Sequence, residues 1–417
     1  MLKEYNISKR IAMQLISRVS IAAVSIPIDL HKAYPTFMSN YNGNVSSKMT
    51  TRTIKIIISG GGTGGHIFPA IAIADALRNS GKEVEILFVG ALGRMEMEKV
   101  PAAGYNIEGL WISGLQRKLT IDNLSFPFKL ISSINKSKQI LKKFNPDIVI
   151  GVGGYASGPL LYAAAKKGIP TLIQEQNSFP GITNKILANK VNKICVAFQG
   201  MEKYFPKEKL VLTGNPVRKE MVDIKDKRDK AFAYFELDKN KKTLLVIGGS
   251  LGALTINKSI LIGLNTLVNN SIQVIWQTGK SFYKEAIETT NASSIHWVKI
   301  FDFINKMDLA YAAADLVISR AGAIAVSELA LVAKPTILVP SPNVTEDHQT
   351  KNAMALVNLE AAVLVKDMEA KDNLIAKAIE LFNDKEKQDT LITNIRKLAL
   401  NNAAEKITSE IFTLLKK

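Results

Sequence analysis

Residues Ile54 to Leu77 read IKIIISGGGTGGHIFPAIAIADAL. A β-branched run, Ile54 to Ile58, meets five glycines and one threonine in six residues, then His66, Pro69 and an apolar pattern of helical length. Strand, glycine-rich turn and helix together make a holder for phosphate. The glycines let the backbone turn sharply and approach a ligand closely, and the N–H groups and dipole of the helix start face its negative charge. Gly60, Gly62 and Gly65 also satisfy G-x-G-x-x-G, with Glu83 and Glu85 about twenty residues on, where a dinucleotide fingerprint wants an acid. A tight turn that binds nothing is the plain structural alternative, so later features must decide.

From residue 53 to about 215 strand-like and helix-like blocks alternate. Val84–Gly90 reads as a strand and Arg94–Gly104 as a helix stopped by glycine. Asp147–Gly151 is a buried strand entering a second glycine cluster, GVGGYASGP. Thr171–Gln174 and Ile194–Ala197 are further strands. The alternation predicts a parallel sheet covered by helices on both faces. At Thr213-Gly214-Asn215-Pro216-Val217-Arg218 the pattern breaks, and a charged, strandless stretch follows to Lys242. Thr243–Ile247 then enters a new glycine turn, GGSLGA, with later strands at Gln273–Thr278, His296–Lys299, Leu316–Ser319 and Thr336–Val339. The chain is long enough, at 417 residues, for two such domains. The expected division is 53–215, 216–395, and a basic amphipathic helix, drawn from the pattern Leu391–Leu415, that packs back on the first domain over 396–417. The fold class is α/β: two doubly wound Rossmann-like domains facing each other across a cleft, which is a default ligand site.

Residues 1–52 differ from the rest. Lys9 and Arg10 precede a patchy apolar segment, Ile11–Ile28, that is too polar for a good membrane span. It has some look of a signal peptide without a convincing cleavage site. The preferred expectation is a disordered extension, or an upstream start ahead of Met49. A weakly membrane-touching segment is the alternative.

The formal net charge is +17. Nucleic acid, an anionic membrane and a phosphorylated substrate are the partner classes that such a charge admits, beside a merely solvated basic surface. No aromatic-rich basic platform is evident, which argues against nucleic acid. The single cysteine, Cys195, rules out a disulfide framework and lies in an apolar run, as a core residue would. The four histidines, His31, His66, His296 and His348, are scattered without zinc-type spacing.

Two further stretches carry chemistry. Ile318 to Glu328 reads ISRAGAIAVSE. A strand ends at Ser319, Gly322 allows the turn, and a helix starts near Ala323 with N–H groups free for a phosphate. Glu328 sits early on that helix, where it can accept from two sugar hydroxyls or simply complement the dipole. Pro340 to Asn352 reads PSPNVTEDHQTKN, a polar loop in which Gln349 suits a sugar and His348 a phosphate. Solvated loop is the plain reading there for Asp347 and Lys351.

GGGTGGHIFPAIAIADAL, GVGGYASGP, EQNSFPGITNK, TGNPVR, GGSLGA, SRAGAIAVSE and EDHQTKNA occur in one order along the chain. This set resembles the MurG family of bacterial N-acetylglucosaminyltransferases, GT-B enzymes of glycosyltransferase family 28, from about residue 53 to the C-terminus. The resemblance replaces the dinucleotide reading, because that family uses UDP-sugar. It implies inverting transfer of GlcNAc from UDP-GlcNAc to the 4-hydroxyl of the muramyl unit of undecaprenyl-pyrophosphoryl-MurNAc-pentapeptide, lipid I to lipid II, in peptidoglycan synthesis. It implies no cofactor, since UDP-GlcNAc is a substrate, and leaves the need for a divalent ion open. It also implies a peripheral place on the cytoplasmic face of the bacterial inner membrane, with an anionic membrane surface and other cell-wall synthesis proteins as partners.

By the same resemblance, Ser250 and the helix start Ala323, Ile324, Ala325, Val326 and Ser327 face the diphosphate. Ile304 contacts uracil through its backbone, Glu328 holds the ribose hydroxyls, Arg218 lies near the nucleotide, and Gln349 contacts GlcNAc. Thr63, Gly64, Gly65 and Asn177 close over the sugar from the first domain. The loops at 60–65 and 151–154 suit the acceptor pyrophosphate. A base must take the hydroxyl proton. His66 is the first candidate, for that role or for binding the acceptor phosphates, and Glu175 is its rival, with a structural role as Glu175's alternative. The stretch Leu124 to Phe144 mixes Phe126, Phe128, Leu130, Ile131 and Ile134 with five lysines, the composition of a surface-binding amphipathic segment. A helix packed on the sheet is the alternative, assigned to Ile140, Leu141 and Phe144. Leu251 stands where the family commonly has Gln, and His348-Gln349 replaces a Gln-Gln pair. A related GT-B enzyme with another lipid acceptor such as diacylglycerol is the competing activity, and a non-catalytic membrane-docked module the competing class.

Overall fold

Every strand in the computed structural model lies parallel to its neighbours, in two separate sheets. The structure describes residues 52–114, 125–217, 224–292 and 297–416, without the side chains of 225, 292 and 345. The expectations for residues 1–51, Arg218, Leu124, His31 and His296 fall outside them.

The first sheet has the order β3-β2-β1-β4-β5-β6-β7. Its strands are β1 (Ile54–Ser59), β2 (Val84–Ala91), β3 (Asn106–Leu110), β4 (Ile148–Gly151), β5 (Thr171–Glu175), β6 (Lys193–Val196) and β7 (Leu210–Leu212). The second has the order β10-β9-β8-β11-β12-β13. Here β8 is Lys242–Ile247, β9 Ile272–Gln277, β10 Val298–Phe301, β11 Leu316–Ser319, β12 Thr336–Leu338 and β13 Val363–Leu364. Strand order reverses between β1 and β4 in one sheet and between β8 and β11 in the other. Parallel sheets open a crevice at that reversal, beyond the strand C-termini. All four turns that leave these strands are the glycine turns of the sequence, at 60–65, 151–158, 248–253 and 320–323.

Alternate residues of each strand enter opposite cores, as a sheet covered on both faces requires. In the first sheet Ile56, Ile58, Phe88, Ile150 and Leu172 face one way. Ile57, Leu87, Val89, Val149 and Ile173 face the other. Cys195 is fully buried in the first of these cores, and burial pushes its thiol pKa up to about 12. Leu244, Val246, Trp276 and Ile318 oppose Leu245, Ile247, Ile275 and Val317 in the second sheet.

The C-terminal pattern from Leu391 to Leu415 is two helices, Lys385–Arg396 and Ala403–Leu415, rather than the one expected. Asn402 breaks it in a left-handed conformation (φ 58°). The two helices serve different sheets. Leu391 packs into the second sheet's core. Ile407 and Ile411 are fully buried against Ile56, Ile73 and Phe88 of the first. The crossing between them packs on the TGNP segment: a Cβ on Gly214 would lie 2.7 Å from Leu400 Cβ, so the approach needs glycine.

Strands β3, β7 and β13 were not legible as strands. Each is short and lies at or beside a sheet edge, where half of the apolar burial that marks a central strand is absent. The lysine-rich helix runs from Phe126 to Phe144. Ile140 and Leu141 are buried in the sheet core and Phe144 packs against it. Phe126 and Leu130, grouped with the outward residues in the sequence, pack on that core too. Phe128 and Ile131 stand 71% and 59% exposed, with Trp111 at 53%.

Candidate active site

The turn after β1 is held from below by a carboxylate. Glu96 opens the helix Glu96–Ala102 and is 1% exposed. Its Oε2 accepts from the Gly62 N–H (2.9 Å) and its Oε1 from the Ala91 N–H (3.0 Å). A Cβ on Gly61 would collide with the same carboxylate. From the other side the turn after β4 presses on it. Gly154 has φ +88°, and a Cβ there would strike the Gly61 carbonyl. The two glycine turns of the first sheet are therefore one packed unit.

His66 sits in the first turn of the helix Gly64–Arg78. Its Nδ1 lies 2.9 Å from the Gly61 carbonyl, which fixes Nδ1 as the protonated nitrogen. Nε2 lies beside Gly153, where a glycine Cβ would be 2.8 Å away, and has no partner among the described residues. Burial holds the imidazole below its usual value of 6.5. The Gly61 carbonyl, Glu175 and Glu96 oppose that shift, and His348 reinforces it. At neutral pH the ring is thus an uncharged acceptor.

Glu175, at the end of β5, is committed elsewhere. It is 2% exposed and accepts from the Asn177 N–H (3.0 Å), Asn177 Nδ2 (3.2 Å), the Gly181 N–H (3.1 Å) and Asn184 Nδ2 (2.8 Å). Four donors on one carboxylate make it the brace of the EQNSFPGITNK loop, and leave no lone pair for a hydroxyl proton.

These elements meet in a cavity of about 600 Å³ between the two sheets' turns. Of the residues expected at the site, Thr63, Gly65, His66, Asn177, Ala323 and Gln349 line it. Gln349 Oε1 accepts from the Ser341 N–H (2.9 Å), which orients the amide. Gly64 belongs to the same turn without forming a wall. Ser250, Ile304, Ile324, Ala325, Val326, Ser327 and Glu328 are not walls of this cavity. Ser250 is exposed on its glycine turn. Ile304 is 2% exposed and its N–H donates to Gln277 Oε1 (2.9 Å), so that N–H is already used. Glu328 is 6% exposed, with the Tyr311 hydroxyl 3.4 Å from its Oε2. Arg218 lies outside the described residues.

The sequence reading missed several site residues. Arg94 and Tyr155 line the cavity. Gln277 ties the Ile304 loop to the GGSLGA turn, its Nε2 donating to the Gly249 carbonyl (2.9 Å). Two asparagines join the halves. Ser178 donates from N–H and Oγ to Asn352 Oδ1 (3.0 and 3.1 Å), and Asn352 Nδ2 donates to Asn177 Oδ1 (3.1 Å). Asn215 Nδ2 donates to the Gln176 carbonyl (2.9 Å) and to Ser327 Oγ (3.0 Å). The N of TGNP and the N of TKNA were visible, but nothing local announces a partner more than a hundred residues away.

Two doubly wound sheets whose switch-point turns face a common cavity are the architecture of GT-B glycosyltransferases. Residues 56–196 match the Glycosyltransferase family 28 N-terminal domain and 243–409 its C-terminal domain. The chain belongs to glycosyltransferase family 28, in the MurG family. It is 57% identical over 361 residues to a Cytophaga hutchinsonii UDP-N-acetylglucosamine--N-acetylmuramyl-(pentapeptide) pyrophosphoryl-undecaprenol N-acetylglucosamine transferase, covering 87% of this chain and 97% of that one. The Flavobacterium psychrophilum protein of the same description is 54% identical, with 87% and 98% covered. The crystal structure of Acinetobacter baumannii MurG superposes with a TM-score of 0.72 at 28% identity, over 86% of this chain and 99% of that one.

Proposed function

We propose that this chain transfers GlcNAc from UDP-GlcNAc, with inversion, to the 4-hydroxyl of the muramyl unit of undecaprenyl-pyrophosphoryl-MurNAc-pentapeptide, converting lipid I to lipid II. The observation that carries the reading is kinship above 50% identity along nearly the whole length of relatives bearing that description.

His66 is the base in this reading. Its Nδ1–H is occupied by the Gly61 carbonyl, so the lone pair on Nε2 is free to take the proton of the acceptor hydroxyl. The hydroxyl oxygen then bonds to the anomeric carbon of GlcNAc. The bond from that carbon to the β-phosphate oxygen breaks, and UDP leaves with the electron pair. The N–H groups of the GGSLGA turn and of the helix Ala323–Val332 offset the charge on the leaving group. Glu328, with Tyr311 beside it, is assigned to the ribose hydroxyls, and the backbone around Ile304 to uracil. Gln349, with its carbonyl oxygen anchored, offers its Nε2 to the sugar. Thr63, Gly64, Gly65 and Asn177 complete the sugar site. The paired glycine turns and Arg94 take the acceptor pyrophosphate.

The acceptor is a lipid, and the reading places the protein on the cytoplasmic face of the membrane. Phe128 and Ile131, exposed on the helix whose Ser133 donates to the carbonyl of the exposed Trp111, support that contact. Lys136 and Lys143 contribute less than the sequence suggests, because Glu108 pairs with both (3.3 and 4.0 Å). Among the described residues no helix is long and apolar enough to cross a membrane.

The test is transfer from radiolabelled UDP-GlcNAc to a short-chain lipid I analogue, with wild type beside His66→Ala. Wild type transfers, and the variant loses about 10²–10⁴-fold in kcat while still binding UDP. Transfer to diacylglycerol but not to the muramyl lipid would overturn the acceptor, and undiminished kcat in the variant would remove His66 from the chemistry.

A further inference from the structure

Asp367 follows β13, in the short turn Asp367–Glu369. Its two carboxylate oxygens serve two different elements. Oδ2 accepts from Thr255 Oγ1 (2.9 Å), in the first turn of the helix Leu254–Asn269. Oδ1 accepts from Arg320 Nη1, just beyond β11, and the same Nη1 donates to the Val339 carbonyl (3.0 Å). The Arg320 and Asp367 side chains are only 12% and 18% exposed. The helix of Thr255 leaves the GGSLGA turn directly, and Arg320 opens the turn that leads into the helix Ala323–Val332. One largely covered carboxylate therefore bridges the two glycine turns of the second sheet.

Those two turns hold the diphosphate of UDP-GlcNAc on the function proposed above, on which the role of Asp367 rests. Neither helix start has a side-chain cap, so its first N–H groups stay available for a ligand. Two sets of donors can stabilise one diphosphate together only if their spacing is fixed in advance. A backbone bond ties the turns at their base, from the Arg320 N–H to the Ile247 carbonyl (3.2 Å), where the GGSLGA turn begins. Gln277 and the close approach of Gly252 to the Thr278 carbonyl hold the GGSLGA turn against the β9 side. Asp367 ties the helix that follows it to the second turn.

Charge alone would make Asp367 unfavourable here. A carboxylate beside these turns repels a diphosphate, and it offsets the positive charge of Arg320 that would attract one. Its contribution to binding then comes through geometry, and the sign of its removal separates the two effects. We propose that Asp367 is a positioning residue for the donor: acting through Thr255 and Arg320, it sets the spacing of the two turns that bind the diphosphate.

The test uses the full chain, with calorimetric titration of UDP and of uridine beside steady-state kinetics. Asp367→Asn is expected to raise Kd for UDP and KM for UDP-GlcNAc about tenfold, with kcat within about threefold, and Kd for uridine and KM for the lipid acceptor unchanged. Thr255→Val, which removes only the hydroxyl, should give a smaller loss in the same direction, about threefold, and Thr255→Ser should match wild type. Tighter UDP binding in Asp367→Asn would overturn the proposal in favour of charge masking. Equal losses for UDP and uridine, or a lowered urea midpoint with UDP affinity intact, would overturn it in favour of a merely structural ion pair. A folded wild type that binds no UDP would instead sink the donor reading, and this role with it.

Discussion

Glu96 and Glu175 are both buried carboxylates near His66, yet they act on it differently. Glu175 is saturated by the loop that it braces. Both charges favour the protonated ring, that of Glu175 more strongly, but only Glu96 also holds the turn whose Gly61 carbonyl orients the imidazole. Glu96→Gln removes its charge and keeps the shape. The folded-state pKa of His66, already lowered by burial, then falls further. A base works only when unprotonated, so activity is lost as pH drops through that pKa. The acid limb of the kcat/KM–pH profile should therefore move to lower pH in Glu96→Gln. A purely structural role would lower the whole profile without moving the limb, and a limb shifted upward would contradict the assignment of His66 as base.

The glycine turns show how elements share work. Gly154 contacts Gly61 so closely that neither turn keeps its shape without the other. Gly154→Ala must bear a left-handed backbone and displace a carbonyl, at a cost of about 1–3 kcal/mol of stability, read as a lowered urea midpoint. KM for the lipid acceptor should rise in the same variant, and an unchanged KM would separate this turn from acceptor binding. These elements were legible because glycine runs after β-branched runs are a backbone signal, complete within a few residues. The same holds for the buried central strands. Edge strands such as Leu210–Leu212 lack that signal. Glu96 was not legible for a different reason: on its helix it reads as a first-turn acid, and only the fold shows that its carboxylate points under a turn 34 residues away. The break at Asn402 was hidden by an apolar period that continues, out of phase in partner, across two helices serving different sheets.

Two kinds of contact join the halves, and they serve different ends. The helix Ala403–Leu415 gives Ile407 and Ile411 to the first sheet's core, although its chain arrives from the second. Such burial is non-directional and supplies stability. Asn352 and Asn215 supply direction. Their amides fix which face of Ala323 and Ser327 meets Asn177 and Ser178, and so set the distance between the loops proposed above for nucleotide and acceptor. The two should separate on substitution. Ile411→Ala leaves a void in a fully buried place and should cost about 2–5 kcal/mol in chemical denaturation, with kcat/KM near wild type while the protein stays folded. Asn352→Ala frees Ser178 and Asn177 to bind water as the cleft loosens. Its stability loss should be the smaller, about 1–3 kcal/mol, and its kcat/KM should fall by a factor on the order of 10², since a misplacement of about 1 Å between reacting groups costs that much. A kcat/KM that follows stability alike in both variants would mean that the asparagines are merely more core, and that the closed geometry is set elsewhere.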